Sequence, residues 1–178
     1  MSDRKKLSIN CNSTDCENGE HAYRTAKPRD QPRPLPTQCK CCGKQIPFDW
    51  NKLHEKNPSN VEFLIQCLKT ERIRAFFWNR PLSEGSKQQL EGLDAVKLHS
   101  RIEQRIATSI GPAEPYSDGG QTALNEDGDP VHHAQHATGT CCRKCLFYWH
   151  GIEEGTAMTK QEIGYSTFLI EKFLQEKM

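Results

Sequence analysis

Residues 132–150 read HHAQHATGTCCRKCLFYWH, and this stretch concentrates metal-binding side chains. Seven of its nineteen positions are histidine or cysteine. Imidazole and thiolate are the ligands that zinc prefers, and two cysteines separated by two residues can occupy two corners of its tetrahedron. A second such pair, Cys39 and Cys42, lies about a hundred residues upstream. The sequence therefore predicts a metal-binding protein.

The composition limits the size of the core. The chain has 178 residues, a formal net charge of +1 and a hydrophobic content of 35%, and its mean hydropathy is −0.79. This length fits one domain, or one domain with a small appendage. The near-neutral charge does not by itself demand a nucleic acid or a membrane. Because the apolar content is low, zinc would supply missing stability, at about 10–16 kcal/mol of folding free energy per structural ion.

The chain contains nine cysteines, which could form either disulfides or metal sites. An odd number of cysteines, the two-residue spacing and the lack of a recognisable secretion signal favour reduced thiolates on metal. We therefore expect a cytoplasmic location and no association with a membrane.

A change in composition divides the chain into a zinc-knuckle segment, 1–56, and a helical core, 57–178, that carries the C-terminal Cys/His cluster. The first segment is rich in proline, lysine and arginine. The second shows helical spacing of its apolar residues. The predicted fold class is α+β, mainly helical: a small domain stabilised by zinc at an N-terminal knuckle and at a C-terminal Cys/His site.

Local signals predict the individual elements. They comprise a helix from Asn57-Pro58 to about Asn79, a helical region from Ser83 to Ile110 that Gly92 divides, a loop over 111–130, an extended piece after Pro130, a helix over Lys144–His150, and a last helix begun by a capping box of Thr159 and Glu162.

In the N-terminal segment, Cys39 and Cys42 are followed by Gly43, as in a zinc knuckle. Cys41 is left as a non-ligand. Tetrahedral zinc needs two more ligands, and Cys11 and Cys16 are the natural pair, with His21 in reserve.

The C-terminal cluster predicts a second ion held by His136, Cys142, Cys145 and His150. Cys141 is left out, because adjacent side chains point in different directions. Three interpretations stay open: a closed structural zinc site, a catalytic zinc site with an open position, or a reactive thiol without metal. In total, the cofactor prediction is two zinc ions.

Residues 135–152 follow the pattern QHAT-x-T-CCR-x-CL-x-x-WH-x-I. This pattern resembles the core of a bacterial and phage family known as a domain of unknown function, and the resemblance runs from about Ala107 to the C-terminus. It implies a relationship without an activity. Where relatives have apolar residues, this chain has His132 and His133, so the resemblance does not imply a shared site there. The N-terminal half resembles a zinc ribbon only in its knuckle.

The first functional hypothesis is a zinc-binding adaptor or regulatory module that binds a protein or nucleic-acid partner. Arginine and aromatic side chains suit bases and phosphates as well as protein interfaces. The candidate binding residues are Arg72, Arg74, Trp78 and Arg80. The alternative is that the aromatic residues of this stretch belong to the core. The oligomeric state stays open.

The second hypothesis is a metal-dependent nuclease or hydrolase that uses the cluster between His132 and His150. His132 and His133 would act as the general base, and the loop carboxylates Asp118, Asp127 and Asp129 would bind a further ion. The cysteine run loosely resembles the second half of zinc-bearing His-Asn-His nucleases. Only eight residues separate His133 from Cys142, too few for the hairpin of those enzymes.

Overall fold

The computed structural model of the protein describes residues 7–117, 122 and 128–178. Within these ranges the α-helices are α1 (Trp50–His54), α2 (Val61–Leu68), α3 (Arg72–Asn79), α4 (Glu84–Leu90), α5 (Ala95–Ser109), α6 (Pro130–Thr138), α7 (Arg143–His150) and α8 (Lys160–Lys177). Strand pairing in the described ranges is limited to isolated bridges. The protein is therefore mainly helical, and the β part of the predicted α+β class is weakly supported.

The helix predicted over residues 57–79 is divided into α2 and α3. The segment between them presents backbone groups to the N-terminal segment: the His21 amide donates to the Thr70 carbonyl at 2.7 Å, and the Arg72 amide donates to the His21 carbonyl at 2.8 Å. Local spacing could not predict this break, because its hydrogen bonds come from a residue about fifty positions away in sequence. The break fixes the N-terminal segment against the helical core.

The helical region predicted over 83–110 forms α4 and α5, and it is divided at Gly92 as expected. Gly92 has a φ of +78°, in the left-handed region that favours glycine. Ser83 caps α4 by accepting from the Ser86 amide at 3.1 Å. Asp94 caps α5 by accepting from the Lys97 amide at 2.8 Å.

The extended piece predicted after Pro130 is wrong, because this stretch is helix α6. Asp129 caps it by accepting from the Val131 amide at 2.8 Å, and Pro130 occupies the first helical position, where its missing N–H costs nothing. Gly139 ends it with a φ of +70°. Helix α6 packs against α3 and α8 and is buried over most of its length, which places it at the centre of the core.

Helix α8 begins with the capping box that the sequence predicts. The Thr159 amide donates to Glu162 Oε2 at 2.8 Å, and the Glu162 amide donates to Thr159 Oγ1 at 3.2 Å. The helix packs along α5 and α6. Its buried side chains join one hydrophobic cluster that also contains Ile9, Tyr23 and Trp50 of the N-terminal segment.

None of the helices in the described part of the chain combines the length and the apolar character needed to cross a bilayer.

Candidate metal centres

The first candidate centre, which we call the knuckle centre, consists of Cys16, His21, Cys39 and Cys42. Their ligand atoms all lie within 4.8 Å of one another. Cys16 Sγ lies 3.8 Å from Cys39 Sγ, and Cys42 Sγ lies 3.6 Å from His21 Nδ1. Tetrahedral zinc with ordinary bond lengths spaces two sulfurs about 3.8 Å apart, and a sulfur and a nitrogen about 3.6 Å apart. The four side chains could therefore hold a tetrahedral metal ion.

A tight turn places the two knuckle cysteines. The Gly43 amide donates to the Cys39 carbonyl at 3.0 Å, and the Cys39 amide donates to the Lys44 carbonyl at 2.8 Å. Gly43 has a φ of +72°, which closes this turn without strain. The Cys41 amide points at Cys39 Sγ at 3.4 Å. Cys41 itself is exposed and outside the group, as expected from the sequence.

The turn also favours the thiolate form of Cys39. Burial opposes ionisation of this thiol, but hydrogen bonds with the backbone of Ala22, Cys42 and Cys41 outweigh burial and lower the pKa of Cys39 to about 6. A thiol that loses its proton easily is well suited to bind a metal ion, because the thiolate is the ligand.

The second candidate centre, which we call the cysteine centre, consists of Cys141, Cys142 and Cys145. The three sulfurs lie within 4.8 Å of one another, and no side chain is more than 3% exposed. Cys142 is the N-cap of α7 and has extended backbone (φ −161°, ψ 166°). The chain turns into the helix directly after it, so all three sulfurs converge. Cys141, which the sequence pattern left out of the ligand set, belongs to this group.

A buried guanidinium group borders the cysteine centre. Arg74 Nη2 lies 2.9 Å from Cys145 Sγ, and Arg74 Nη1 lies 3.5 Å from Cys141 Sγ. Hydrogen bonds with Cys142 and Cys145, together with the charge of Arg74, hold the pKa of Cys141 well below its usual range. The centre can therefore keep thiolate character away from solvent.

Arg74 is itself held by a carboxylate. Its Nε donates to Glu71 Oε2 at 2.9 Å, and the same oxygen accepts from Trp149 Nε1 at 3.2 Å. Burial raises the pKa of Glu71, and Arg74 opposes this shift. Arg74 thus links the thiols to a buried acid–indole pair, and its orientation is fixed.

The predicted histidine ligands lie outside both groups. His136 Nε2 is 3.2 Å from the Thr122 carbonyl, and the His136 ring stacks on Phe77 with centroids 5.0 Å apart. His150 Nε2 is 2.9 Å from the Thr138 carbonyl. Both rings therefore direct a nitrogen at a backbone carbonyl.

His132 and His133, the candidate general bases, lie on α6. His133 Nε2 is 2.9 Å from the Phe77 carbonyl. Burial lowers the pKa of both histidines to about 4, in His132 with a further contribution from Arg105. Neither histidine joins a metal-ligand group of the described residues.

The four predicted binding residues do not share one exposed face. Arg74 and Trp78 are buried, which agrees with the alternative that this stretch is core. Arg72 forms an ion pair with Glu20, and Arg80 lies over the Phe76 ring, 5.3 Å from its centroid.

The loop carboxylates give no further centre in the described part of the chain. Asp118 and Asp127 lie outside the described residues. Asp129 caps α6 and pairs with Arg101 at 2.8 Å.

Cys11 belongs neither to the knuckle centre, where the sequence placed it, nor to the cysteine centre. Burial raises the pKa of Cys11 to about 12, and the next largest contribution comes from Cys145. The Cys11 thiol also interacts electrostatically with Arg74 and Cys141.

Comparison with known proteins identifies a family but no related solved structure. No solved structure matches the chain. A family model described as Domain of unknown function (DUF4186) matches residues 62–175. The match begins within α2, well before Ala107, where the resemblance seen in the sequence starts. It includes the cysteine centre and leaves out the knuckle centre. Since the match covers more than half of the residues, the chain belongs to the family of the domain of unknown function DUF4186.

Proposed function

We propose that the protein is a zinc-binding adaptor module. Two zinc ions stabilise the protein: one at the knuckle centre orders the N-terminal segment, and one at the cysteine centre stabilises the helical core. The exposed basic part of that segment then binds a nucleic-acid partner. The observation that carries this proposal is the spacing of ligand atoms in the knuckle centre, where 3.8 Å between two sulfurs and 3.6 Å between sulfur and nitrogen match tetrahedral zinc.

A structural role for the ions is supported by the surroundings of the cysteine centre. Its three sulfurs are buried, and the nearest charged neighbour with a direct contact is Arg74. A catalytic zinc needs an open position and a titrating group close to its bound water. His133 instead directs a nitrogen at the Phe77 carbonyl, and burial keeps it neutral. The nuclease or hydrolase alternative therefore has less support.

The proposed partner surface is the exposed part of the proline-rich segment and the knuckle. Lys27, Arg29, Lys40 and Lys44 are exposed there. Asp30 is the single acidic residue between Ala22 and Lys44. Arg33 is excluded from this surface, because it is buried in an ion pair with Glu154 at 2.9 Å. Several exposed cations within one segment suit the phosphate groups of a nucleic acid.

The test combines metal analysis with binding. We expect two zinc ions per purified chain, and binding of single-stranded RNA or DNA that weakens as salt rises. Reversing two charges in Lys27→Glu/Arg29→Glu should weaken binding. It should also make the salt slope shallower, by about 0.9 for each phosphate that is no longer neutralised on duplex DNA, or by about 0.7 on a single strand.

The matched control reverses two exposed lysines of the helical core, Lys97→Glu/Lys160→Glu. It should leave both the affinity and the salt slope at wild-type values. Equal weakening in both double variants would show a general effect of net charge. If the chain bound an acidic protein and no nucleic acid, the partner proposed here would be wrong.

A further inference from the structure

We propose that Cys42 is a site of reversible oxidation: hydrogen peroxide joins it to Cys39 or Cys16, and the knuckle centre then releases its zinc ion. The inference rests on the proposed function, because it requires zinc at the knuckle centre and a nucleic-acid surface beside it. It adds a regulatory role to this centre, since loss of the ion loosens the turn that carries part of the proposed surface.

The two centres differ in their access to solvent. In the knuckle centre Cys42 is exposed, Cys16 is half-buried and Cys39 is buried. In the cysteine centre each of the three cysteines is at most 3% exposed. Oxidation of cysteine follows its thiolate character and its exposure. An oxidant dissolved in water therefore reaches a metal-bound thiolate at Cys42 before it reaches one in the cysteine centre.

A second thiol is close enough to complete the reaction. The sulfurs of Cys16, Cys39 and Cys42 all lie within 4.8 Å of one another. The turn holds Cys39 close to Cys42, because the Gly43 amide donates to the Cys39 carbonyl at 3.0 Å. A solvent-accessible cysteine beside a second, resolving thiol is typical of redox sensors. The knuckle centre has both parts.

The reaction balances in two steps. The Cys42 thiolate attacks one oxygen of hydrogen peroxide, so that an S–O bond forms, the O–O bond breaks and the second oxygen leaves as hydroxide. The thiolate of Cys39 or Cys16 then attacks the Cys42 sulfur, so that the S–S bond forms and the S–O bond breaks with loss of a second hydroxide. Two protons from solvent convert both hydroxides to water. The two sulfurs supply the two electrons that reduce the peroxide.

A disulfide in the knuckle centre is incompatible with bound zinc. The two sulfurs of a disulfide are about 2.05 Å apart, whereas two sulfurs on tetrahedral zinc are about 3.8 Å apart. A disulfide sulfur also lacks the negative charge of a thiolate, which is the form that binds metal. His21 and a single thiolate then remain, so the ion leaves.

The knuckle turn carries two of the exposed cations of the proposed partner surface, Lys40 and Lys44. The Lys44 carbonyl accepts from the Cys39 amide at 2.8 Å, and the Lys40 amide donates to the Ala22 carbonyl at 2.9 Å. Both lysines are thus positioned by the backbone that also positions the metal ligands. Release of zinc should loosen this backbone and weaken nucleic-acid binding.

The closest pair of sulfurs in the cysteine centre is less suited to such a reaction. Cys142 Sγ lies 3.5 Å from Cys145 Sγ, but both residues are buried. Arg74 Nη2 also lies 2.9 Å from Cys145 Sγ and covers it on one side. This pair is close but not accessible, so its oxidation should be slower than that of Cys42.

The experiment treats the full zinc-loaded chain with increasing hydrogen peroxide and follows zinc release with a coloured chelator. The remaining thiols are then alkylated, and the disulfides are located by mass spectrometry. Wild type should first lose one of its two ions, together with formation of a disulfide between Cys42 and Cys39 or Cys16. The three thiols of the cysteine centre should still be reduced at that point. The matched control is Cys41→Ser, which removes the exposed thiol beside the ligands and should lose the first ion at the same peroxide concentration.

Binding of a single-stranded nucleic acid is measured on the same samples. The oxidised chain should bind more weakly, with a salt slope shallower by up to about 1.4, which is about 0.7 for each of Lys40 and Lys44. Treatment with a phosphine reductant and zinc should restore the affinity and the slope.

The outcomes separate this inference from the proposed function. Wild type without zinc at the knuckle centre would overturn both. Four results would overturn the inference alone: both ions survive peroxide, the first disulfide forms in the cysteine centre, the first disulfide contains Cys41, or binding is unchanged after the knuckle ion has left.

Discussion

Arg74 Nη2 lies 2.9 Å from Cys145 Sγ, although the two residues are 71 positions apart in sequence. The same guanidinium group contacts Cys141 Sγ, the His136 carbonyl and Glu71. A residue that the sequence presents as a surface cation is thus the buried neighbour of a thiol cluster. Its role is to hold α3, α6 and the start of α7 together around one charge.

We expect Arg74→Met to destabilise the protein by about 3–5 kcal/mol, because it leaves Glu71 buried without its partner. Urea unfolding at fixed zinc concentration measures this change. Arg101→Met is the matched control, since its pair with Asp129 is one-third exposed on both sides and should contribute less than about 1 kcal/mol. The double variant Glu71→Gln/Arg74→Met should recover part of the stability. No recovery would mean that the interactions of Arg74 with the thiols dominate.

Cys141→Ser should remove zinc from the cysteine centre and lower the yield of folded protein, to the same degree as Cys142→Ser. The reason is that the three sulfurs form one buried group. The exposed Cys41→Ser should behave as wild type. Zinc content and circular dichroism of the three variants measure this ranking. A mild Cys141→Ser variant would restore the ligand set expected from the sequence.

His133 should make the protein sensitive to acid. Burial lowers its pKa to about 4, from an ordinary value of 6.5. The unfolded chain therefore takes up a proton at His133 as the pH falls below 6.5, whereas the folded chain resists this until about pH 4. The stability due to the neutral ring is present above pH 6.5 and is lost on acidification, by up to about 1.4 kcal/mol per pH unit.

In a His133→Gln variant this acid sensitivity should be absent, because glutamine does not titrate and its amide can still donate to the Phe77 carbonyl. Zinc release in acid affects both proteins, so the difference between their unfolding free energies at pH 7 and pH 5 isolates His133. Parallel pH profiles would contradict the prediction.

Gly139→Ala should cost more stability than Gly155→Ala. Both glycines have a positive φ, +70° and +81°, so both substitutions carry the same kind of backbone strain. A Cβ at Gly139 would lie 2.9 Å from Cδ1 of Trp149, whereas nothing lies within 4 Å of one at Gly155. Differential scanning calorimetry should show the larger fall in Tm for Gly139→Ala. Equal falls would mean that Trp149 can move without cost.

Local chemistry allowed much of the helical structure to be predicted. The capping box of Thr159 and Glu162 and the glycine at position 92 act on their own neighbours, so their effects can be predicted from the sequence. Helix α6 was missed, although Asp129, Pro130 and Gly139 carry its start and stop signals. The histidines and small residues between those signals lack a clear apolar periodicity, and the helix is instead stabilised by burial on several sides.

The sequence predicted two candidate metal centres built from cysteine and histidine, but it predicted only some of the residues in each. Spacing brought Cys39 and Cys42 together correctly, because a tight turn is a local structure. His21 takes the place predicted for Cys11 in the knuckle centre. This depends on the pairing of the N-terminal segment with the break between α2 and α3. The inclusion of Cys141 depends on the bend before α7. Both are tertiary features, and a linear motif does not encode them.

The backbone pairing of His21 with the break between α2 and α3 ties the two centres to each other. His21 contributes its ring to the knuckle centre and its backbone to Thr70 and Arg72, while Arg74, one helical turn after Glu71, faces the cysteine centre. On the proposed function, zinc at either centre would order the same junction. If zinc at one centre raises the affinity of the other centre for zinc, the reverse effect has the same factor. Zinc uptake should be cooperative, so that the chain passes between an empty and a doubly loaded form as the free zinc concentration changes.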